Sequence, residues 1–181
     1  MRHGCRVVWI LGCLTMTVGC TSGNLASTPQ AQPHVAGLAC QTSDQAFDDP
    51  QLGWGFCYPA TWRYVERDAT TDTPKGVAIT FDVTETAPGP DNGKFGFMAV
   101  TTYDRGSAAS IGDWLSTNVS GETGLQTIPW GNSDGAVMTD SGRRFALTGH
   151  YVVELELHSG SGNLDLNGTL GGLLGDWRFE Y

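Results

Sequence analysis

Few residues in this chain have the types and spacing that could do chemistry. Gly131-Asn132-Ser133-Asp134-Gly135 fits G-x-S-x-G, the pattern of a nucleophile elbow. That device needs a strand before the serine and a helix after it, so that the hydroxyl stands exposed on a strained turn. Strand-forming residues come next here, Ala136-Val137-Met138-Thr139, and a plain turn explains the Asn, Ser, Asp and glycines equally well. His150 and His158 fall in one strand pattern. At strand rise they would stand about 26 Å apart, too far to share a metal. Each reads as a strand-end histidine, or as one half of a pair with a distant carboxylate. Asp165-Leu166-Asn167-Gly168 has the look of a calcium-loop fragment, but the closing Glu of the twelve-residue loop is missing. Solvated helix-start residues account for it. Arg143-Arg144 is the one basic pair beyond residue 19. It could recognise a carboxylate or phosphate, and beside a turn it reads as solvated. Residues 20–181 contain no Cys-x-x-Cys, His-x-x-x-His or His-Glu-x-x-His. No catalytic residue, no metal ligand and no cofactor is therefore assigned from the sequence.

The cysteines say more. Arg2 and Arg6 precede an apolar run that begins Val7-Val8-Trp9-Ile10-Leu11 and ends Thr17-Val18-Gly19-Cys20. This is the layout of a signal peptide. Its last four residues are similar to the bacterial lipobox, which implies cleavage before Cys20 and lipidation of that cysteine. An ordinary secretory signal or a short membrane helix is the alternative, although the run is short for a span. Cys5 and Cys13 leave with residues 1–19, and Cys40 and Cys57 remain as an even pair. In an oxidising compartment they are expected to form a disulfide, worth about 3 kcal/mol for a loop of this length. Two free thiols, with Cys57 as a small buried hydrophobe, is the other reading.

Removing residues 1–19 takes two arginines and no acidic residue, leaving 8 basic against 19 acidic residues, net −11. Such a charge repels nucleic acid and anionic headgroups. Contact with a membrane would then run through the lipid. Residues 21–39 are small, polar and proline-dotted, the composition of a flexible tether. The chain is thus expected to divide into a signal peptide at 1–19, a lipidated cysteine and tether at 20–43, and a globular domain at 44–181.

The elements of that domain are read from periodicity. Asp44 to Pro50 is a transition with a possible helical turn. Trp54, Phe56 and Tyr58 alternate, which puts three rings on one face of a strand, with Cys57 on the other. Pro59 ends that strand, and Trp62 opens a second run to Glu66, followed by a loop from Arg67 to Lys75. Val77, Ile79, Phe81 and Val83 alternate as a half-buried strand. Lys94 to Tyr103 is apolar on both faces, which predicts a central strand covered twice. Ser110-Ile111-Gly112-Asp113 approximates a capping box, and Ile111, Trp114, Leu115 and Val119 continue at helical spacing. Further strands are expected near Gln126–Trp130, Ala136–Thr139, Arg144–Thr148 and Tyr151–Leu157. A loop at Gly160–Asn163, a glycine-weakened helix over Leu164–Leu174 and a closing strand through Trp177, Phe179 and Tyr181 complete the chain.

Gly53-Trp54-Gly55-Phe56-Cys57-Tyr58-Pro59-Ala60-Thr61-Trp62 resembles the opening hairpin of the PsbP-like fold, and the order of elements resembles it to Tyr181. The resemblance implies an α+β domain with an antiparallel sheet of about six strands and helices packed on it. Its motif describes packing and carries no activity. Several members of this fold are protein-binding accessories. The expected function is therefore a non-catalytic binding or assembly module, anchored by lipid (palmitate included) outside the cytoplasm of a bacterial cell envelope, with an envelope protein as partner. A small envelope hydrolase using Ser133 or a histidine–carboxylate pair is one alternative. A carrier of a small apolar ligand is the other, and it would need an open cavity between sheet and helix.

Overall fold

The computed structural model describes residues 34–84, 94–162 and 164–181. The expected signal peptide, Cys20, most of the tether and the turn at Ala87–Gly93 lie outside the described residues. Within them the chain runs β1 (Asp44–Asp49), β2 (Trp54–Pro59), β3 (Arg63–Ala69), β4 (Gly76–Thr84), β5 (Phe95–Asp104), α1 (Ile111–Asn118), β6 (Gln126–Thr127), β7 (Val137–Met138), β8 (Arg144–Leu147), β9 (Tyr151–Ser161), α2 (Leu166–Gly171) and β10 (Arg178–Phe179). One sheet has seven strands in the order β3-β4-β5-β9-β8-β7-β6, and a smaller one has three in the order β1-β2-β10. Every pairing is antiparallel. The fold is α+β, but the expected sheet of about six strands is ten strands in two sheets.

The rings flanking Pro59 hold the two sheets together. Trp54, Phe56 and Tyr58 are buried, as is Trp62. They meet Ile79, Phe81, Val83, Met98, Val100, Val153 and Leu155 from the inner face of the large sheet. Trp177 stacks on Phe56 at 4.3 Å and on Trp54 at 5.1 Å, while Phe81 meets Phe56 edge-on at 5.2 Å. Such pairs add about 0.5–1.5 kcal/mol beyond the area they bury. The Trp54 indole N–H donates to Thr102 Oγ1 across the core at 2.8 Å.

The outer face of the large sheet carries α1. Ser110 Oγ caps the helix by accepting from the Asp113 N–H. Trp114 packs with Ile111, Leu115, Phe145 and Val152, and its indole donates to the Asp104 carbonyl at 3.1 Å. The helix covers only one end of β5. Phe97, further along the same strand, is 36% exposed. The strand is central as expected, but the second covering is partial.

Other expectations change. Asp44–Asp49 is a strand, paired over six residues with β2. Its one large apolar residue, Phe47, stacks on Trp54 at 4.8 Å, too little to show as periodicity among four acidic or amide neighbours. β3 runs to Ala69, three residues into the expected loop. β9 continues through Gly160 to Ser161, where a flexible loop was predicted. A Cβ at Gly160 would strike the Phe95 carbonyl oxygen at 2.5 Å, so the glycine there permits close cross-strand pairing. The end of the expected tether is packed chain. Val35 is buried, its N–H donates to Asp48 Oδ1 at 2.7 Å, and Cys40 is bonded to Cys57. Among the described residues no helix is long and apolar enough to cross a membrane.

Candidate functional site

The G-x-S-x-G loop is a clamp on the end of the chain. Gly131, at φ 56°, lets the backbone pass Trp177, whose carbonyl oxygen would lie 2.3 Å from a Cβ there. The Asn132 side chain acts as a strand partner for β10. Its Nδ2 donates to the Phe179 carbonyl at 2.9 Å, and its Oδ1 accepts from the Phe179 N–H at 2.7 Å. The Tyr181 hydroxyl donates to the Asn132 carbonyl at 3.0 Å. Ser133 Oγ faces the Gly135 N–H at 3.5 Å within the turn. The loop leads into strand β7, whereas a nucleophile elbow requires a helix at that place.

Strand alternation sends Arg143 and Arg144 to opposite faces of the sheet, and neither is solvated as the sequence suggested. Arg143 lies on the outer face over the Phe145 ring. It bonds Glu122 Oε1 at 2.9 Å and Glu156 Oε1 at 3.0 Å, and makes a shorter contact to Glu154. The Tyr103 hydroxyl donates to the other Glu154 oxygen at 2.8 Å. His158 stands 3.6 Å from Glu156. A cleft of about 370 Å³ between the β3–β4 loop and the end of α1 has Tyr103 and Arg143 on its floor.

Burial sets the protonation in this cluster. Desolvation raises the Glu154 carboxyl above its usual range, against the pull of Tyr103 and Arg143. Desolvation and the Glu154 charge together push the Tyr103 phenol far up. Desolvation also opposes the charge on Arg143, but its carboxylates outweigh that and hold the guanidinium charged. The cluster ties Glu122, in the chain that follows α1, to Arg143 and the β9 glutamates. Within it the Glu154 oxygens face Tyr103 and Arg143, while His158 and Glu156 lie toward solvent.

Arg144 has the opposite surroundings. It is 7% exposed, on the side of Ala146, next to α2. Its Nη2 donates to Asn167 Oδ1 at 2.8 Å and its Nη1 to the Gly142 carbonyl at 3.3 Å. Among the described residues no carboxylate pairs with it, and desolvation lowers its pKa. Asn167 belongs to the segment that resembled a calcium loop. Asp165 there caps α2 through the Gly168 N–H at 3.0 Å. No group of three or more His, Cys, Asp or Glu among the described residues is placed to hold a metal ion.

Tyr103, Glu122 and Glu154 did not stand out in the sequence, and Arg144 was misplaced. A signal was present for Glu154. It sits beside the buried Val152 on the outward face of a strand adjoining the two-sided β5, and the cover over Val152 extends to it.

Fold and site together define an antiparallel α+β domain with an ionic network around Arg143 and, among the described residues, a buried guanidinium at Arg144 without a carboxylate. No known family model, curated protein or solved structure matches the chain.

Proposed function

We propose that the chain is a bacterial envelope lipoprotein, lipidated at Cys20 and held outside the cytoplasm, whose PsbP-like domain is a non-catalytic binding or assembly module. The observation that carries this reading is the Cys40–Cys57 disulfide, whose ends are 17 positions apart in sequence. Such bonds persist in oxidising compartments, which agrees with an export signal ahead of Cys20. The antiparallel α+β architecture supports the PsbP-like assignment. Two polar groups that serve the scaffold support the non-catalytic reading: the Ser133 loop grips the C-terminal strand, and Glu154 is held between Tyr103 and Arg143.

Feeding labelled palmitate to cells expressing the chain tests the anchor. Label is expected on the native chain and absent from Cys20→Ala. Crosslinking in those cells is expected to capture an envelope protein with the native form. An unlabelled native chain overturns the anchor, and an esterase activity abolished by Ser133→Ala overturns the non-catalytic reading. Carriage of a small ligand is the second reading, favoured by an open cleft between α2 and the β6–β7 edge.

A further inference from the structure

That cleft has a volume of about 490 Å³, and Arg144 is among the residues that line it. Ile128, Pro129, Met138 and Leu174 supply its side-chain walls, and Gly172 and Gly175 supply bare backbone. A Cβ added at either glycine would meet nothing within 4 Å, so the space over them is open. Arg144 thus borders both this apolar trough and a smaller polar cleft that holds its partners Gly142 and Asn167.

A buried charge without a counter-charge is costly, and proteins rarely keep one unpaired. Arg143, the neighbouring residue, has three glutamates, whereas Arg144 has an amide and a carbonyl. A guanidinium has five donors in a planar fork that matches a carboxylate. Two of those on Arg144 are placed, which leaves donors for an incoming acid. Glu156 also lines that smaller polar cleft, but its oxygens face Arg143 and His158.

We infer that this cleft is a binding site for a small monocarboxylate with an apolar tail, the acid group on Arg144 and the tail along Ile128, Met138 and Leu174. The inference rests on the ligand-carrier reading and is independent of lipidation. The chemistry selects the class. A neutral hydrocarbon would leave the guanidinium uncompensated. A phosphate dianion would find one available cation, since Arg143 is taken. A short acid without a tail would leave the trough unfilled.

Calorimetric titration of the full chain, in non-ionic detergent with a matched micelle blank, provides the test. Octanoate is the probe, with 1-octanol and acetate as partial ligands. Octanoate is expected to bind at least ten-fold more tightly than either. Arg144→Met is expected to reduce octanoate affinity at least ten-fold. Gly172 has φ −69° and ψ −22°, a conformation any residue adopts. Gly172→Leu should therefore keep the fold and its thermal transition while occupying the trough, and it too should lose octanoate. Octanoate heats equal to those of octanol, undiminished affinity in a folded Arg144→Met or Gly172→Leu, or no binding by the native chain would each overturn the site. Palmitate labelling and crosslinking read the anchor and partner separately, so failure of the titration leaves those parts of the proposal standing.

Discussion

Glu154 is the residue on which the outer face depends. It is 2% exposed on a central strand, and its charge is tolerable because Arg143 and Tyr103 meet both oxygens. Breaking a buried ion pair from one side leaves an uncompensated charge, which costs about 3–5 kcal/mol. Arg143→Met is therefore expected to lower unfolding stability by about that amount in urea titration. Adding Glu154→Gln should recover part of the loss, because the stranded charge is then gone. A double variant no more stable than Arg143→Met would refute this account. The same cluster predicts an acid-side effect through Glu122. Desolvation opposes its charge, but hydrogen bonds from Thr139, Arg143 and Ser141 hold its pKa below the ordinary 4.5. The unfolded state then binds the proton more readily, so Glu122 contributes stability above 4.5 that is lost as pH falls through the depressed value. Glu154 acts in the opposite sense, because its raised pKa makes the folded state the better proton binder. Glu122→Gln should therefore cost stability at pH 7, with the gap to the native chain closing toward pH 3 in thermal melts. A gap that stays constant across that range would exclude the Glu122 carboxylate as its source.

At the scale of elements, the short closing strand β10 pairs with β2 over only two residues, and Asn132 completes it from the other side. Asn132→Ala would leave the Phe179 N–H and carbonyl without their amide partner. A buried group left unsatisfied costs about 1–3 kcal/mol. The expected result is a loss of that size in denaturant midpoint, with faster amide exchange at Phe179 and unchanged exchange in β5. Unchanged exchange at Phe179 would show that the amide does not hold the strand. Elements with a strong local period were legible in sequence: β2 through its alternating rings, β4 through Val77 to Val83, and α1 through its Ser110 cap. Elements defined by distant partners were not. Nothing near Arg178 announces that it lies opposite Gly55 and so belongs to a second sheet. Arg143-Arg144 shows the same limit at a site. As a dipeptide it reads as solvated, yet alternation within β8 already assigned Arg144 to the face of Ala146. Which partners met each arginine depended on Glu122 after α1, on the β9 glutamates and on Asn167 of α2, none of which the dipeptide itself reveals.

For the molecule as a whole, the disulfide joins the incoming chain to the small sheet, and neither cysteine belongs to the seven-stranded sheet. Residues 34–40 add little area of their own. Val35 and the Leu38 side chain, the latter close over Gly55, are their main apolar contacts. The crosslink should therefore be the main restraint that keeps this segment in place. In the chain-entropy account a loop of this length stabilises by about 3 kcal/mol, by restricting the unfolded chain. The rings of β2 face the core from the other side of the strand and do not need the bond to stay buried. Cys40→Ser combined with Cys57→Ser should thus lower the denaturant midpoint by an amount equivalent to about 3 kcal/mol. Its far-UV spectrum without denaturant should match that of the native chain, and limited proteolysis should cut ahead of residue 44 before it cuts β4 or β5. Equal midpoints would mean that packing alone secures the segment. Simultaneous loss of the large sheet would mean that both sheets depend on the bond. The first result would leave the disulfide as a marker of compartment alone, and the second would make the core of the domain conditional on export.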